Sequence, residues 1–211
     1  MTVSKELYEA ILEGNAKTAV AITQKAIADG ISPTELITET MIPAMAEVGR
    51  LFEAEEYFVP EMLIAGRAMK SSMELLKPLM VAAGTEPIGR VVIGTVKGDL
   101  HDIGKNLVAS MLEGGGFEVI DVGTDVSPEK FIESLKEHKA KILALSALLT
   151  VTMPAMKTTI EALKAAGVRE QVKVIIGGAP VTQQYAREIG ADGYCENANS
   201  AVALARGMLA A

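Results

Sequence analysis

The sequence has one cysteine, Cys195, and no tryptophan. A single thiol can neither close an intrachain disulfide nor supply the paired cysteines of a structural zinc site. Basic residues are also few: 20 Lys and Arg stand against 27 Asp and Glu, a formal charge of −7. That balance argues against nucleic acid as a partner, because phosphate binding needs a basic face. No apolar run approaches the roughly 20 residues of a membrane-spanning helix. The opening MTVSKELYEA has no basic segment leading into an apolar one, so no secretory leader is read there. The expectation is a cytoplasmic protein that engages neither membranes nor nucleic acid. Aromatics are only 4% of a chain that is 49% hydrophobic, so aliphatic side chains and the 11 methionines must fill the core. A length of 211 residues supports one domain or two small ones.

The pattern changes once along the chain. Up to about Pro87 every periodic stretch reads as helix. Leu7 and Ile11 share one helical face, and Gly14-Asn15 ends that segment. Val20, Ala26 and Ile27 mark a second helix, stopped by Gly30. Ser32-Pro33-Thr34-Glu35 has the form of a capping box with proline in the first turn. The helix it starts carries Leu36, Ile37, Met41, Met45 and Val48, and Pro43 within it should kink or interrupt it. A fourth helix starts near Pro60, with Met62, Met69, Met73, Leu76 and Met80 as its apolar stripe. Four helices with short connections make a small bundle over residues 1–84, and residues 85–89 have the composition of a linker.

From residue 90 to 211 strands and helices alternate. The strands are read at Arg90–Val96, Phe117–Val122, Lys141–Leu149, Val172–Ile176 and Asp192–Cys195, each followed by a helix. Near-continuous apolar strands alternating with helices indicate a parallel sheet covered on both faces. The fold class is therefore α/β, a helical cap followed by a flavodoxin-like, Rossmann-like five-stranded sheet of order 2-1-3-4-5. Ligands of such sheets sit at the carboxyl ends of the strands, where the order switches between the first and third.

Three unusual segments fall on that rim: Gly98-Asp99-Leu100-His101-Asp102-Ile103-Gly104, Ser146-Ala147-Leu148-Leu149-Thr150-Val151-Thr152, and Gly177-Gly178-Ala179. None is a phosphate-binding glycine loop. His101 stands two residues from Asp99, so one ring nitrogen can bind a metal while the other donates to the carboxylate. By spacing alone a solvated loop histidine is the better fit. A lone histidine cannot hold free zinc, which takes three or four protein ligands. A metal bound by His101 must bring its other ligands with it, as in a macrocycle. Gly177-Gly178 can equally be a strand-to-helix turn. His138, at a helix end, and Cys195, an apolar strand residue, are given no functional role.

Together these motifs resemble the corrinoid-binding family, whose signature is DxHxxG, then SxL, then GG. Here Asp99-x-His101-x-x-Gly104 is followed by 41 residues, Ser146-x-Leu148, 28 residues, and Gly177-Gly178. A four-helix domain ahead of the sheet is also the arrangement of methionine synthase and of corrinoid methyl-carrier proteins. The resemblance thus covers nearly the whole chain.

The resemblance implies cobalamin as cofactor, cycling between methylcobalamin and cob(I)alamin. It implies binding with the cofactor's own base displaced and His101 on cobalt from below. The displaced tail would descend between the first and third strands, against Ser146, Thr150, Gly177 and Gly178, with Gly98, Asp102, Ile103, Gly104, Leu148 and Ala179 completing the implied cofactor-binding set. The family's aspartate and serine behind the histidine correspond to Asp99 and Thr152, the threonine being a departure that keeps the hydroxyl. His101, Asp99 and Thr152 would then link cobalt ligation to proton uptake. In the helical half, Phe52 and Val59 match residues that cover the upper face of the ring, with Val59 in place of a leucine. The linker around Gly84 to Gly89 would act as the hinge of that cap. The implied role is a non-autonomous carrier, loaded by a substrate-specific methyltransferase and unloaded by a tetrahydrofolate- or coenzyme M-dependent one. A reductive activation protein would be a third partner. The alternatives are a cobalamin-dependent sensor and the cobalamin subunit of a radical mutase. Against the sensor stand the acidic charge and the lack of a DNA-binding segment ahead of the bundle; against the mutase stands the Phe52-like cap element.

Overall fold

The computed structural model describes residues 3–84 and 86–210. The chain forms two compact units. One comprises the residues up to Ile88 together with Ser110–Gly116; the other comprises Gly89–Ala109 and the residues from Phe117 onward.

The first unit contains α1 (Val3–Leu12), α2 (Ala16–Ala28), α3 (Pro33–Leu36), a π turn (Ile37–Met41), α4 (Ile42–Glu53) and α5 (Val59–Ala82). Asn15 caps α2 by accepting from the Thr18 amide at 3.1 Å. Leu7, Ile11, Leu36, Met41, Met45, Met62, Met69 and Leu76 are fully buried, so the methionine stripe is core packing. The disturbance expected at Pro43 takes a specific form. The Ile42 amide donates back to the Ile37 carbonyl, five residues away, and the helix then continues through the proline. The wider turn takes up one residue just before a position that has no N–H to give. Ser32 does not cap as expected, because its side chain makes no capping bond; Pro33 in the first turn starts the helix. A reciprocal capping bond forms instead at α5, where the Phe58 amide donates to Glu61 Oε2 at 3.0 Å.

The second unit is a five-stranded parallel sheet of β1 (Arg90–Thr95), β2 (Glu118–Asp121), β3 (Ile142–Ser146), β4 (Lys173–Gly177) and β5 (Gly193–Cys195). Its order is β2-β1-β3-β4-β5, as the alternation predicts. The connecting helices are α6 (Ile103–Gly114), α7 (Pro128–Glu137), α8 (Pro154–Ala165) and α9 (Gln183–Ile189), with α10 (Ala198–Ala210) closing the chain. One core cluster joins Val92, Leu143, Leu145, Val174 and Ile176 of the strands to Phe131, Leu135, Met156, Ile160 and Leu163 of the helices. Burying each such side chain contributes about 1.5–3 kcal/mol. Cys195 is buried at the end of β5, which pushes its thiol up to about 12.

Register decides where the rim lies. Thr95 pairs with Ser146, Ser146 with Gly177, and Gly177 with Cys195, so four strands end in one row. The third strand is shorter than its apolar run, ending at Ser146 and not Leu149. The Leu148 amide is taken by the Asp99 carboxylate at 2.8 Å, which draws the chain out of the ladder. Leu148 and Leu149 consequently face solvent. Among the described residues no helix is long and apolar enough to cross a membrane.

Candidate functional site

The loop between β1 and α6 holds a buried carboxylate with four hydrogen-bond partners. Gly98 turns the chain with φ +85°, a conformation suited to glycine, and places Asp99 beneath the loop, buried. Asp99 Oδ1 accepts from the His101 amide at 3.0 Å and pairs with His101 Nδ1 at 2.7 Å. Its Oδ2 accepts from the Leu148 amide at 2.8 Å and from the Thr152 hydroxyl at 2.6 Å. Burial opposes the charge on this carboxyl. The bonds from Thr152, the His101 and Leu148 amides and the imidazole outweigh it, and hold the group well below the usual carboxylate range. The Thr95 hydroxyl donates to the His101 carbonyl at 2.8 Å and pins the loop from the end of β1.

This arrangement sets the tautomer of His101. Facing an ionised carboxylate, Nδ1 carries the proton, which leaves the Nε2 lone pair free on the side away from Asp99. The side chain is 49% exposed, so that nitrogen can be reached from solvent. Among the described residues no group of three or more His, Cys, Asp or Glu could hold a bare metal ion. The donor set therefore suits a metal that arrives with its other ligands in place.

The surroundings have a matching character. Leu100, Ile103 and Val151 are 74%, 71% and 80% exposed, and with Leu148 and Leu149 they make an apolar rim along the segments that carry His101 and Thr152. Clustered exposed apolar groups of this size mark a binding surface. Gly104 lies in the first turn of α6, and a Cβ built there would have no atom within 4 Å. Neither packing nor a left-handed conformation calls for glycine there, and glycine costs about 1 kcal/mol relative to alanine inside a helix. The space beside it is free for a group from outside the chain.

The glycine pair reads differently. At Gly178, with φ +133°, a Cβ would fall 1.9 Å from the Ala147 carbonyl oxygen. At Gly177 it would lie 3.2 Å from the Cys195 oxygen. Glycine at 178 is thus required by the chain's own backbone, whatever else approaches. Ser146 is half-buried at the end of β3, while Thr150, Asp102 and Ala179 are exposed on the loops. Phe52 and Val59 belong to the helical unit, the first half-buried near the end of α4, the second exposed at the start of α5 beside Phe58. Reading the sequence did not single out Thr95, Lys105, Asp121 or Asp125, all of which bond to the histidine loop or its flanks. Strand-terminal and turn polar residues at the carboxyl rim were the available signal.

Residues 89–203 match a family model described as a B12 binding domain, and residues 3–77 match a second model of the same description. Trimethylamine corrinoid protein 1 of Methanosarcina acetivorans is 46% identical over 203 residues, spanning 95% of this chain and 94% of that one. The chain belongs to the B12-binding corrinoid proteins. Its cofactor is a cobalamin. Dimethylamine corrinoid protein 1 of the same organism is 45% identical to this corrinoid protein, over 98% of the chain and 97% of the relative. Among solved structures, the methanol:cobalamin methyltransferase complex of Methanosarcina barkeri aligns with TM-score 0.88 and 31% identity, covering 99% of this chain and 80% of that one. A cobalamin-binding protein from Desulfitobacterium hafniense aligns with TM-score 0.79 and 34% identity over 98% of both chains. The residues present fit such a cofactor: one imidazole with a free nitrogen, an apolar rim for a large ring, and open space at Gly104.

Proposed function

We propose that this corrinoid protein carries a methyl group between two methyltransferases, with His101 as the lower axial ligand and the cofactor's own base displaced. The observation that carries this reading is the 2.7 Å contact of His101 Nδ1 with buried Asp99, which leaves Nε2 as a free donor. When bound, cobalt supplies the centre that accepts and gives up the methyl group. The chain's residues supply orientation and a place for a proton. Asp99 fixes the imidazole plane and the tautomer that leaves Nε2 free to bind. The His101–Asp99 pair is where that proton is held, on Nδ1 against the carboxylate. Thr152 supports that carboxylate from behind at 2.6 Å. The apolar rim excludes water from the ring edge.

Relatives named for trimethylamine and dimethylamine match this chain about equally, at 46% and 45% identity. We infer a methylated amine as the donor class, delivered by a substrate-specific methyltransferase. The acceptor reaction would be a tetrahydrofolate- or coenzyme M-dependent methyltransferase, with a reductive activation protein returning oxidised cobalt to service.

The test is spectroscopic. In the cob(II) form, protein made with isotopically labelled histidine is expected to show an altered axial-nitrogen splitting in its electron paramagnetic resonance spectrum. His101→Ala is expected to abolish that splitting while retaining part of the corrinoid. A spectrum unchanged by labelling, or identical in the variant, rules His101 out as the ligand. Methylation of the reduced protein by amine-specific but not methanol-specific methyltransferases would fix the donor class.

A further inference from the structure

We infer that Asp121, the last residue of β2, and Asp125, in the turn beyond it, are positioning residues that bracket the His101 loop. The inference rests on that loop presenting the axial ligand.

Asp125 engages the loop where it begins. Its amide donates to the Asp99 carbonyl at 2.9 Å, its Oδ1 accepts from the Gly98 amide at 2.8 Å, and its Oδ2 pairs with Lys97 Nζ at 3.0 Å. Three consecutive residues of the loop's entry are therefore tied to one side chain and its backbone. Asp125 does this with φ +54°, in the left-handed region that non-glycine residues seldom occupy and that Asp and Asn tolerate best.

Asp121 acts where the loop ends. Its Oδ2 pairs with Lys105 Nζ, and its Oδ1 accepts from the Gly123 amide at 2.9 Å. Lys105 directly follows Gly104 and is buried, only 3% exposed, with Nζ also 2.6 Å from Asn106 Oδ1. A buried ammonium needs a paired carboxylate. Asn106 reaches back in turn, its amide donating to the Asp102 carbonyl at 2.7 Å and Nδ2 to Asp102 Oδ2 at 3.2 Å. Gly98–Gly104 is thus held before His101 by Asp125 and after it by Asp121 through Lys105.

Neither carboxylate touches the imidazole, so their action is on the loop's position. The sheet does not depend on them for its alignment: Arg90–Ile93 pair with Glu118–Asp121 through the backbone, and Val96 bridges Val126. Asp125 is exposed, where ion pairs add little to global stability. Its contribution is placement, to which metal ligation is sensitive at the sub-ångström level.

The experiment uses the full chain, with and without cobalamin, in four versions: unsubstituted, Asp125→Ala, Asp125→Asn and Asp125→Gly. Asparagine keeps both the acceptor and the tolerance of φ > 0; glycine keeps only the conformation; alanine keeps neither. Amide hydrogen exchange over residues 97–105 without cobalamin is expected to quicken about tenfold in the Ala and Gly variants, and to return near the unsubstituted rate in Asn. With cobalamin, the fraction of cob(II) bearing an axial nitrogen is expected to fall about threefold in Ala and Gly and to recover in Asn. A double variant, Asp121→Asn with Lys105→Met, removes the second anchor without leaving a buried cation unpaired, and is expected to quicken exchange at the start of α6. Unsubstituted rates and nitrogen fractions in Asp125→Ala, or in Asp125→Gly, overturn the inference. If the unsubstituted protein itself lacks an axial nitrogen, the ligation reading fails, while the exchange arm still decides the bracket.

Discussion

Asp99→Ala is expected to destabilise the chain by about 3–5 kcal/mol, because buried donors that lose their acceptor cost about 1–3 kcal/mol each. The carboxylate serves four donors from three residues in two parts of the chain, two of them backbone amides. The Leu148 amide and the Thr152 hydroxyl have the least recourse to water, and the segment from Ser146 to Thr152 loses its anchor with them. For a chain of this size the midpoint of thermal unfolding should drop by about 10 °C. Circular dichroism melts and urea titration check this. Asp99→Asn keeps the shape and should lose less.

The pH dependence of the same group has a defined sign. The folded carboxyl lies below its ordinary value. Its contribution is therefore complete above the unfolded value, about 3.9, and declines as pH falls toward the lower folded one. The stability gap between the unsubstituted protein and Asp99→Asn should narrow below about pH 4 and stay constant above about pH 5. A gap that widens on acidification would contradict the charged state assigned to Asp99.

Gly178→Ala is the second large effect. The new Cβ meets the Ala147 carbonyl oxygen at 1.9 Å and its carbon at 2.9 Å, both backbone atoms that cannot rotate aside. Left-handed strain adds about 1–3 kcal/mol and overpacking about as much again, so a loss of about 3 kcal/mol or more is expected. The ends of β3 and β4 must part to admit the methyl group, and cobalamin uptake should fall with them. Gly104→Ala is the matched control. With open space around its Cβ, it should leave the melting temperature of the cobalamin-free chain unchanged or slightly raised while weakening cobalamin binding. Equal destabilisation by the two changes would mean that position 104 is structural.

What the sequence made legible, and what it hid, follows the range of each interaction. Alternation of apolar strands with helices is local and repeated, and it specified the sheet order found. The partnership of Asp99 with His101 was readable because only two residues separate them. The partnership of Asp99 with Thr152, 53 residues away, was reached through resemblance to a family and not from spacing. Lys105 was hidden because a lysine beside a loop reads as surface, and its burial depends on a carboxylate at the end of β2. The π turn at Ile37–Met41 was hidden because proline announces a disturbance without stating its form. The early end of β3 was hidden because Leu148 and Leu149 extend an apolar run, and an acceptor from a different loop decides their backbone.

The Thr152 hydroxyl has one hydrogen and two acceptors, Asp99 Oδ2 at 2.6 Å and the Leu149 carbonyl at 2.9 Å. It is a rotor with two rest positions. Swung toward Leu149, it presents a lone pair to Asp99 and can receive a bond from a carboxylic acid there; swung back, it supports the anion. Only one O–H bond turns between the two positions while every heavier atom stays still, and the two amides and the imidazole N–H that also face Asp99 go on favouring the anion.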